Sequence, residues 1–290
     1  MNWRDRLSSG KSLLVIELLP PKGNDVTSLE RKVAPLKGIA DALYVPSLQG
    51  GVMTVSSWAA CKSLQERGYE TIFEVSCANA NRVALQAELL GASALGLQNL
   101  MVLLGDDPSQ GDHHEARRVY DVGLLELLSG IQRLQDGHDM AGGDLEGTPR
   151  FCVGTRVNAS VRDQVLDLEM RQMEHKISLG VNYFMTTPIY DLKQFEVFVG
   201  RAHTFGIPII AGVTILKSAG MARYINKHLE GALIPEEMVL KLMKAPDKVK
   251  ASLQIAADAI RELRGLCQGV NIIALGWEDK IPSLLDAVRP

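Results

Sequence analysis

Eight short apolar runs, each rich in Val, Ile or Leu, recur along the chain, and helical patterns alternate with them. The runs cover residues 13–19, 42–46, 71–77, 100–105, 151–157, 183–188, 207–215 and 270–275. They are continuous rather than alternating, as expected of strands buried on both faces in a parallel sheet covered by helices. Amphipathic helical patterns fill 27–36, 55–67, 82–90, 124–134, 162–179, 192–204, 235–243 and 247–267. Strands alternating with helices imply right-handed crossovers. Eight such units in 290 residues match a closed barrel, which takes ~250 residues before insertions. The predicted fold is α/β, a single (β/α)8 TIM-type barrel domain over residues 1–290.

A doubly wound dinucleotide fold would need G-x-G-x-x-G directly after a strand, and no such string occurs. Gly10-Lys11-Ser12 resembles the end of a phosphate loop, but Asp5 stands where its first glycine belongs, and the tripeptide precedes a strand. Two stretches break the barrel rhythm. Residues 106–121 are polar, and 135–148 carry Gly137, Gly142, Gly143 and Gly147, which predicts a flexible surface connection.

Lys+Arg 31 against Asp+Glu 34 gives a net charge of −3, too little basic field to hold nucleic acid by counterion release. The longest apolar stretches, 13–21 and 207–216, fall short of the ~20 residues of a membrane span. No signal-type apolar block follows Met1-Asn2-Trp3-Arg4-Asp5-Arg6. Cys61, Cys77, Cys152 and Cys267 lie far apart without a CxxC pair, so neither a zinc site nor a disulfide framework is expected. The expected setting is the cytoplasm, with free thiols.

Barrel chemistry gathers at the C-terminal ends of the strands. Glu17 interrupts Leu13-Leu14-Val15-Ile16-Glu17-Leu18-Leu19. A carboxylate inside a buried strand costs several kcal/mol unless paired or protonated, and desolvation raises its pKa toward that of a useful proton donor. A structural glutamate bonded to a neighbouring strand is the alternative. Asp106 follows Gly105 at the end of the fourth run, where a glycine lets backbone approach a ligand and the acid points into the mouth. A simple strand-to-turn Gly-Asp reads equally well. Thr186-Thr187-Pro188 offers two hydroxyls, or plain β-branched packing. Asp112-His113-His114-Glu115 lacks any ordered ligand spacing and reads as a solvated loop, with no metal site. Glu169 and Lys176, two turns apart on one helix face, read as a solvent-facing pair.

Several motifs together resemble the methylenetetrahydrofolate reductase family. They are Ile16-Glu17-Leu18-Leu19-Pro20-Pro21-Lys22-Gly23, Glu74-Val75-Ser76-Cys77, Leu104-Gly105-Asp106-Asp107-Pro108, the stretch from Gly180 through Thr186-Thr187-Pro188-Ile189-Tyr190-Asp191, and Pro208-Ile209-Ile210-Ala211-Gly212-Val213. The resemblance runs over nearly the full length. Leu216-Lys217-Ser218-Ala219-Gly220-Met221-Ala222-Arg223-Tyr224 and Gly276-Trp277-Glu278 look closer to the short reductases of acetogens and related anaerobes.

The resemblance implies flavin-dependent reduction of 5,10-methylenetetrahydrofolate to 5-methyltetrahydrofolate, within one-carbon metabolism and methionine biosynthesis. By position, Glu17 becomes the proton donor near N10 and Asp106 the aspartate contacting the pterin close to the flavin. Flavin contacts fall on Ser47, Gln49, Cys77, Gly105, Tyr120, Asn158, Glu169, Gln172 and Lys176. The folate and nicotinamide face falls on Thr187, Tyr190 and Met221. Thr187 and Met221 replace glutamines of the better-known pattern, Glu74 replaces a histidine, and Leu104 replaces an arginine. The implied cofactor is FAD, with FMN as the alternative, and the electron donor is NAD(P)H or a reduced protein partner such as a metal-containing second subunit. A reduced folate is the expected substrate and a homo-oligomer the expected assembly. Two other readings stand beside this one: a partner-dependent or flavin-poor subunit of a methyl-carrier reductase complex, and a flavoenzyme similar to proline dehydrogenases.

Overall fold

The structure, a computed structural model, describes residues 1–228 and 233–288. Among them, eight strands form one closed parallel barrel in sequence order: β1 (Leu13–Glu17), β2 (Ala42–Val45), β3 (Thr71–Ser76), β4 (Asn99–Leu103), β5 (Cys152–Val157), β6 (Tyr183–Pro188), β7 (Ile209–Thr214) and β8 (Gly269–Ile273). Each coincides with one of the eight apolar runs. The helices are α1 (Trp3–Leu7), α2 (Thr27–Val33), α3 (Ser57–Gln65), α4 (Arg82–Ala94), α5 (Leu124–Gln135), α6 (Asp163–Ser178), α7 (Leu192–Ala202), α8 (Ala219–His228), α9 (Glu236–Lys244), α10 (Lys248–Leu263) and α11 (Ile281–Val288). No helix among the described residues is long and apolar enough to cross a membrane.

Alternate strand residues separate two cores. Outward-facing Ile16, Leu43, Phe73, Val102, Val153, Phe184, Ala211 and Ile272 pack under the helices. Inward-facing Val15, Tyr44, Ile72, Met101, Cys152, Tyr183, Met185 and Ile210 fill the barrel together with Trp3 and Leu7 of α1. Trp3, fully buried, meets the Tyr183 ring edge-on at 5.6 Å and 80°. The room for that ring comes from Gly154 on β5, where a Cβ would come within 2.2 Å of it. Outside the plug, Arg4 donates to the Phe151 carbonyl at 2.7 Å, and the Trp3 amide donates to Glu70 at 3.0 Å. The N-terminal end of the barrel is thus stoppered, and its charged inward residues Glu17, Glu74 and Arg156 lie at the other end.

Residues 135–148, expected to be flexible, are compact. Asp139 accepts from the Ala141 and Gly143 amides at 2.8 Å each, and the Met140 amide donates to Gln86 of α4 at 2.7 Å. Asx-type capping and docking on α4 outweigh the glycine content.

Candidate active site

The top layer of the barrel is charged. Glu17 on β1 pairs in register with Tyr44 on β2, and Glu74 on β3 and Arg156 on β5 also point inward. Glu17 is 3% exposed. Its carboxyl accepts from Gln49 Nε2 at 3.2 Å and, more weakly, from Asn271 Nδ2 of β8 at 3.4 Å. Burial raises its pKa, partly offset by the positive Arg156 and the two amide donors. Glu74, 6% exposed, accepts a hydrogen bond from the Tyr44 hydroxyl. Burial pushes its pKa up to about 7 against the pull of Arg156, the Tyr44 hydroxyl and the Ser47 amide.

Arg156 is the one strand residue of this layer left exposed. Among the described residues its guanidinium makes no hydrogen bond and no ion pair within 4.0 Å; it acts on Tyr44, Glu74, Glu17 and Asp106 through space. Five N–H donors therefore face open space above buried acids, which suits the electron-rich pyrimidine edge of a fused ring. The Asn271 side-chain oxygen beside Glu17 is likewise buried without a partner. Arg156, Tyr44 and Asn271 were missed by sequence reasoning. Arg156 met the criterion that found Glu17, a charge inside an apolar run, whereas Tyr44 and Asn271 carry no such mark.

The residues expected at the site fall into neighbouring groups around this layer. Glu17, Gln49 and Asp106 gather near the ends of β1, β2 and β4, where the Gly50 amide donates to Asp106 at 2.6 Å. There the loops after β2 and β4 cross backbone to backbone. A Cβ on Gly51 would come within 2.9 Å of the Gly111 nitrogen, and one on Gly111 within 1.9 Å of the Gly51 oxygen. Asp112 locks the crossing by accepting from the Met53 amide at 3.0 Å and pairing with Lys22. Its hydrogen bonds to Lys22 and His113 hold it well below the usual carboxylate range. His114 bonds the Ser109 carbonyl at 3.1 Å.

Cys77, Gly105 and Tyr120 form the next group. The Tyr120 amide donates to the Cys77 carbonyl and its hydroxyl to the Gly105 carbonyl, both at 3.2 Å. Cys77 is 0% exposed and its thiol is pushed up to about 11 by burial, so its backbone rather than its sulfur borders the mouth. Gly105 was expected to let a ligand approach. Within the chain, the neighbours it admits are Ser76 and Ala78: a Cβ would come within 2.7 Å of Ser76 and 2.9 Å of Ala78, at a φ of +87°. Gly105→Ala should therefore displace the start of the Asp106 loop and cost about 1–3 kcal/mol, read as a lower urea midpoint at unchanged m-value.

Asn158, Glu169, Lys176 and Thr187 converge beyond β5 and β6. The Asn158 amide donates to Glu169 at 3.3 Å, and the Thr187 hydroxyl to the Asn158 side-chain oxygen at 3.4 Å. Lys176 is not on a solvent-facing face. It is 6% exposed, its amine donates to the Arg156 carbonyl at 3.2 Å, and burial lowers its pKa. It positions the backbone of β5 and with it Arg156. Gln172 is exposed on α6. Tyr190 and Met221 belong to an apolar cluster with Leu216, Ala222 and Ile225 beside the ends of β6 and β7. A separate cavity of about 480 Å³ at the opposite end of the barrel, lined by Leu7, Val199, His203, Leu266 and Gln268 among others, presents no carboxylate, lysine or arginine.

The chain is similar to known proteins. A family model described as methylenetetrahydrofolate reductase matches residues 2–288. Methylenetetrahydrofolate reductase 2 of Schizosaccharomyces pombe is 21% identical over 304 residues, covering 97% of this chain and 46% of that protein. Methylenetetrahydrofolate reductase 1 of the same yeast is 20% identical over 271 residues, covering 90% and 42%. The chain thus spans less than half the length of these curated relatives. Among solved structures, an uncharacterized Clostridium thermocellum protein that binds two copies of 5-methyl-5,6,7,8-tetrahydrofolic acid superposes with a TM-score of 0.67. It shares 17% identity, with 98% of this chain and 97% of that one covered.

Proposed function

The chain belongs to the methylenetetrahydrofolate reductase family, and on that premise we propose that it reduces 5,10-methylenetetrahydrofolate to 5-methyltetrahydrofolate, Glu17 opening the five-membered ring. The observation that carries this reading is the setting of Glu17, a buried carboxyl at the barrel mouth held by two neutral amides, Gln49 and Asn271, instead of a direct cation. A direct ion pair would pin the carboxyl in its ionised form; amide donors orient it and leave burial to favour the proton.

Protonation of N10 by Glu17 breaks the bond from N10 to the bridging carbon and leaves a cationic iminium on N5. Asp106, exposed at the rim and held by the Gly50 amide, supplies negative charge beside that cation. Thr187, Tyr190 and Met221 wall the pterin on the β6–β7 side. A bound flavin would be held by Arg156 and by Gly105, Tyr120, Asn158 and Gln172, and would supply the hydride. FAD is the proposed form, with electrons from NAD(P)H or a reduced protein partner.

Purified protein should be yellow, and anaerobic 5-methyltetrahydrofolate should bleach it by running the reaction backwards. Mass analysis of the released cofactor would separate FAD from FMN. A colourless protein without folate-dependent activity would overturn the reading. One observation favours a second reading, a partner-dependent or flavin-poor methyl-carrier subunit: Leu104, 51% exposed, puts an apolar side chain before Gly105, where a cofactor phosphate would want a cation. The relative that binds two methyltetrahydrofolates fits that version. It would reveal itself as a colourless protein that still binds methyltetrahydrofolate in calorimetry.

A further inference from the structure

Asn271 on β8 holds a polar atom that nothing in the barrel wall serves. The residue is 3% exposed. Its Nδ2 donates to Glu17 Oε2 at 3.4 Å, while its Oδ1 is buried without a hydrogen-bond partner among the described residues. In register beside it stand Val15 on β1 and Gly212 on β7, and two residues away on the same face of β8 stand Gly269 and Ile273. None of the four carries a side-chain donor. An acceptor left unserved in a buried place is costly, and native structures rarely keep one without a use. The orientation of the amide also follows from chemistry. An ionised carboxylate only accepts, so the amide nitrogen must face Glu17 and the oxygen must face away from it. That is the state of Glu17 after it has given up its proton.

We propose that Asn271 Oδ1 receives the N–H that ring opening creates on the carrier, so that Asn271 selects the opened form over the bridged one. This rests on the assignment of Glu17 as the proton donor. In the bridged carrier N10 bears three carbon substituents and no hydrogen. Glu17 transfers its proton to N10, and the bond from N10 to the bridging carbon breaks with its electron pair staying on N10. The N5 lone pair closes the iminium. N10 is then a secondary amine with one N–H, and Glu17 is a carboxylate. Asn271 serves both products of that transfer with a single amide, its nitrogen to the carboxylate and its oxygen to the new N–H. The contact to N10 exists only once the proton has moved, so it favours the transition state over the bound substrate. Glu17 and Asn271 are both buried, whereas Gln49, the other donor to Glu17, is exposed on the loop after β2. Gln49 is the side chain that gives way when the carrier arrives.

Calorimetry with 5-methyltetrahydrofolate and its 10-deaza analogue, in which CH2 replaces the N10–H, tests the contact. Wild type should bind the N–H form about tenfold more tightly, because the analogue leaves the oxygen unserved. Asn271→Leu, similar in size and without an acceptor, should bind the two alike. Glu17→Gln should lose the preference as well, since the amide of Asn271 then turns its oxygen toward position 17. In turnover, Asn271→Leu should lose kcat while the KM for 5,10-methylenetetrahydrofolate stays nearly constant. A merely structural role for Asn271 would weaken both ligands in parallel and keep their ratio. Equal affinities in wild type, or a preference that survives in Asn271→Leu, would overturn the contact, and the wild-type comparison holds even where a variant folds poorly. A wild type that binds neither ligand sinks the proposed function and the contact together. If the preference appears but Glu17→Gln still turns over folate, the contact stands and the place of Glu17 in the reaction falls.

Discussion

Glu17→Gln should lower reduction of 5,10-methylenetetrahydrofolate by roughly two to four orders of magnitude, the usual contribution of a positioned general acid. Electron exchange between bound cofactor and an external donor should persist. The variant should fold. Gln49 can still donate to the side-chain oxygen at position 17, and a flip of Asn271 would turn its unpartnered oxygen toward the new amide nitrogen. Stability should respond to pH with a definite sign. The folded-state pKa of Glu17 lies above its ordinary value of 4.5, so the folded protein binds that proton more tightly than the unfolded chain. Its contribution is fully present below pH 4.5 and is lost as pH rises through the raised value. Relative to wild type, Glu17→Gln should therefore gain stability on going from acid to neutral pH, seen in urea midpoints at the two ends. Wild-type turnover in this variant would remove Glu17 from the chemistry.

Trp3→Ala should be the costliest single change in the scaffold. The indole is fully buried at the barrel floor, edge-on to Tyr183. Gly154 leaves room for the Tyr183 ring. Removing a large buried aromatic costs about 3–5 kcal/mol, and a drop in Tm on the order of 10 °C follows for a chain of this size. The mouth lies at the far end of the strands, so cofactor colour and folate affinity of the surviving folded protein should change little. A loss below about 1 kcal/mol would mean that the floor is not closed as described.

The strands were legible because each is buried on both faces, which demands an unbroken apolar run. Their ends were less so: the first run continues through Leu18 and Leu19, since Leu18 stays buried after leaving the ladder. Helices α1, α8 and α11 escaped notice. α1 has five residues, too few for periodicity to register, and α8 opens on Ala219-Gly220. Within the site, Glu17 could be read from sequence because a charge in an apolar run is physically costly. Arg156 broke its run in the same way, yet the countercharge makes sense only once closure brings β5 opposite β1 and β3. Lys176 looked solvent-facing because spacing along a helix says nothing of which face meets the barrel. Gly105 was singled out for close approach to a ligand; that Ser76 and Ala78 also crowd it depends on the packing of β3 against β4.

The crossing of the β2 and β4 loops at Gly51 and Gly111 divides the rim into unequal halves. Where two backbones interlock with no space for a side chain, insertions and most substitutions are sterically barred, so that arc is closed to evolutionary tinkering. Divergence in which carrier the barrel accepts must then accumulate on the opposite arc, among the loops that follow β5 to β8. A combinatorial library built to retarget this scaffold belongs there.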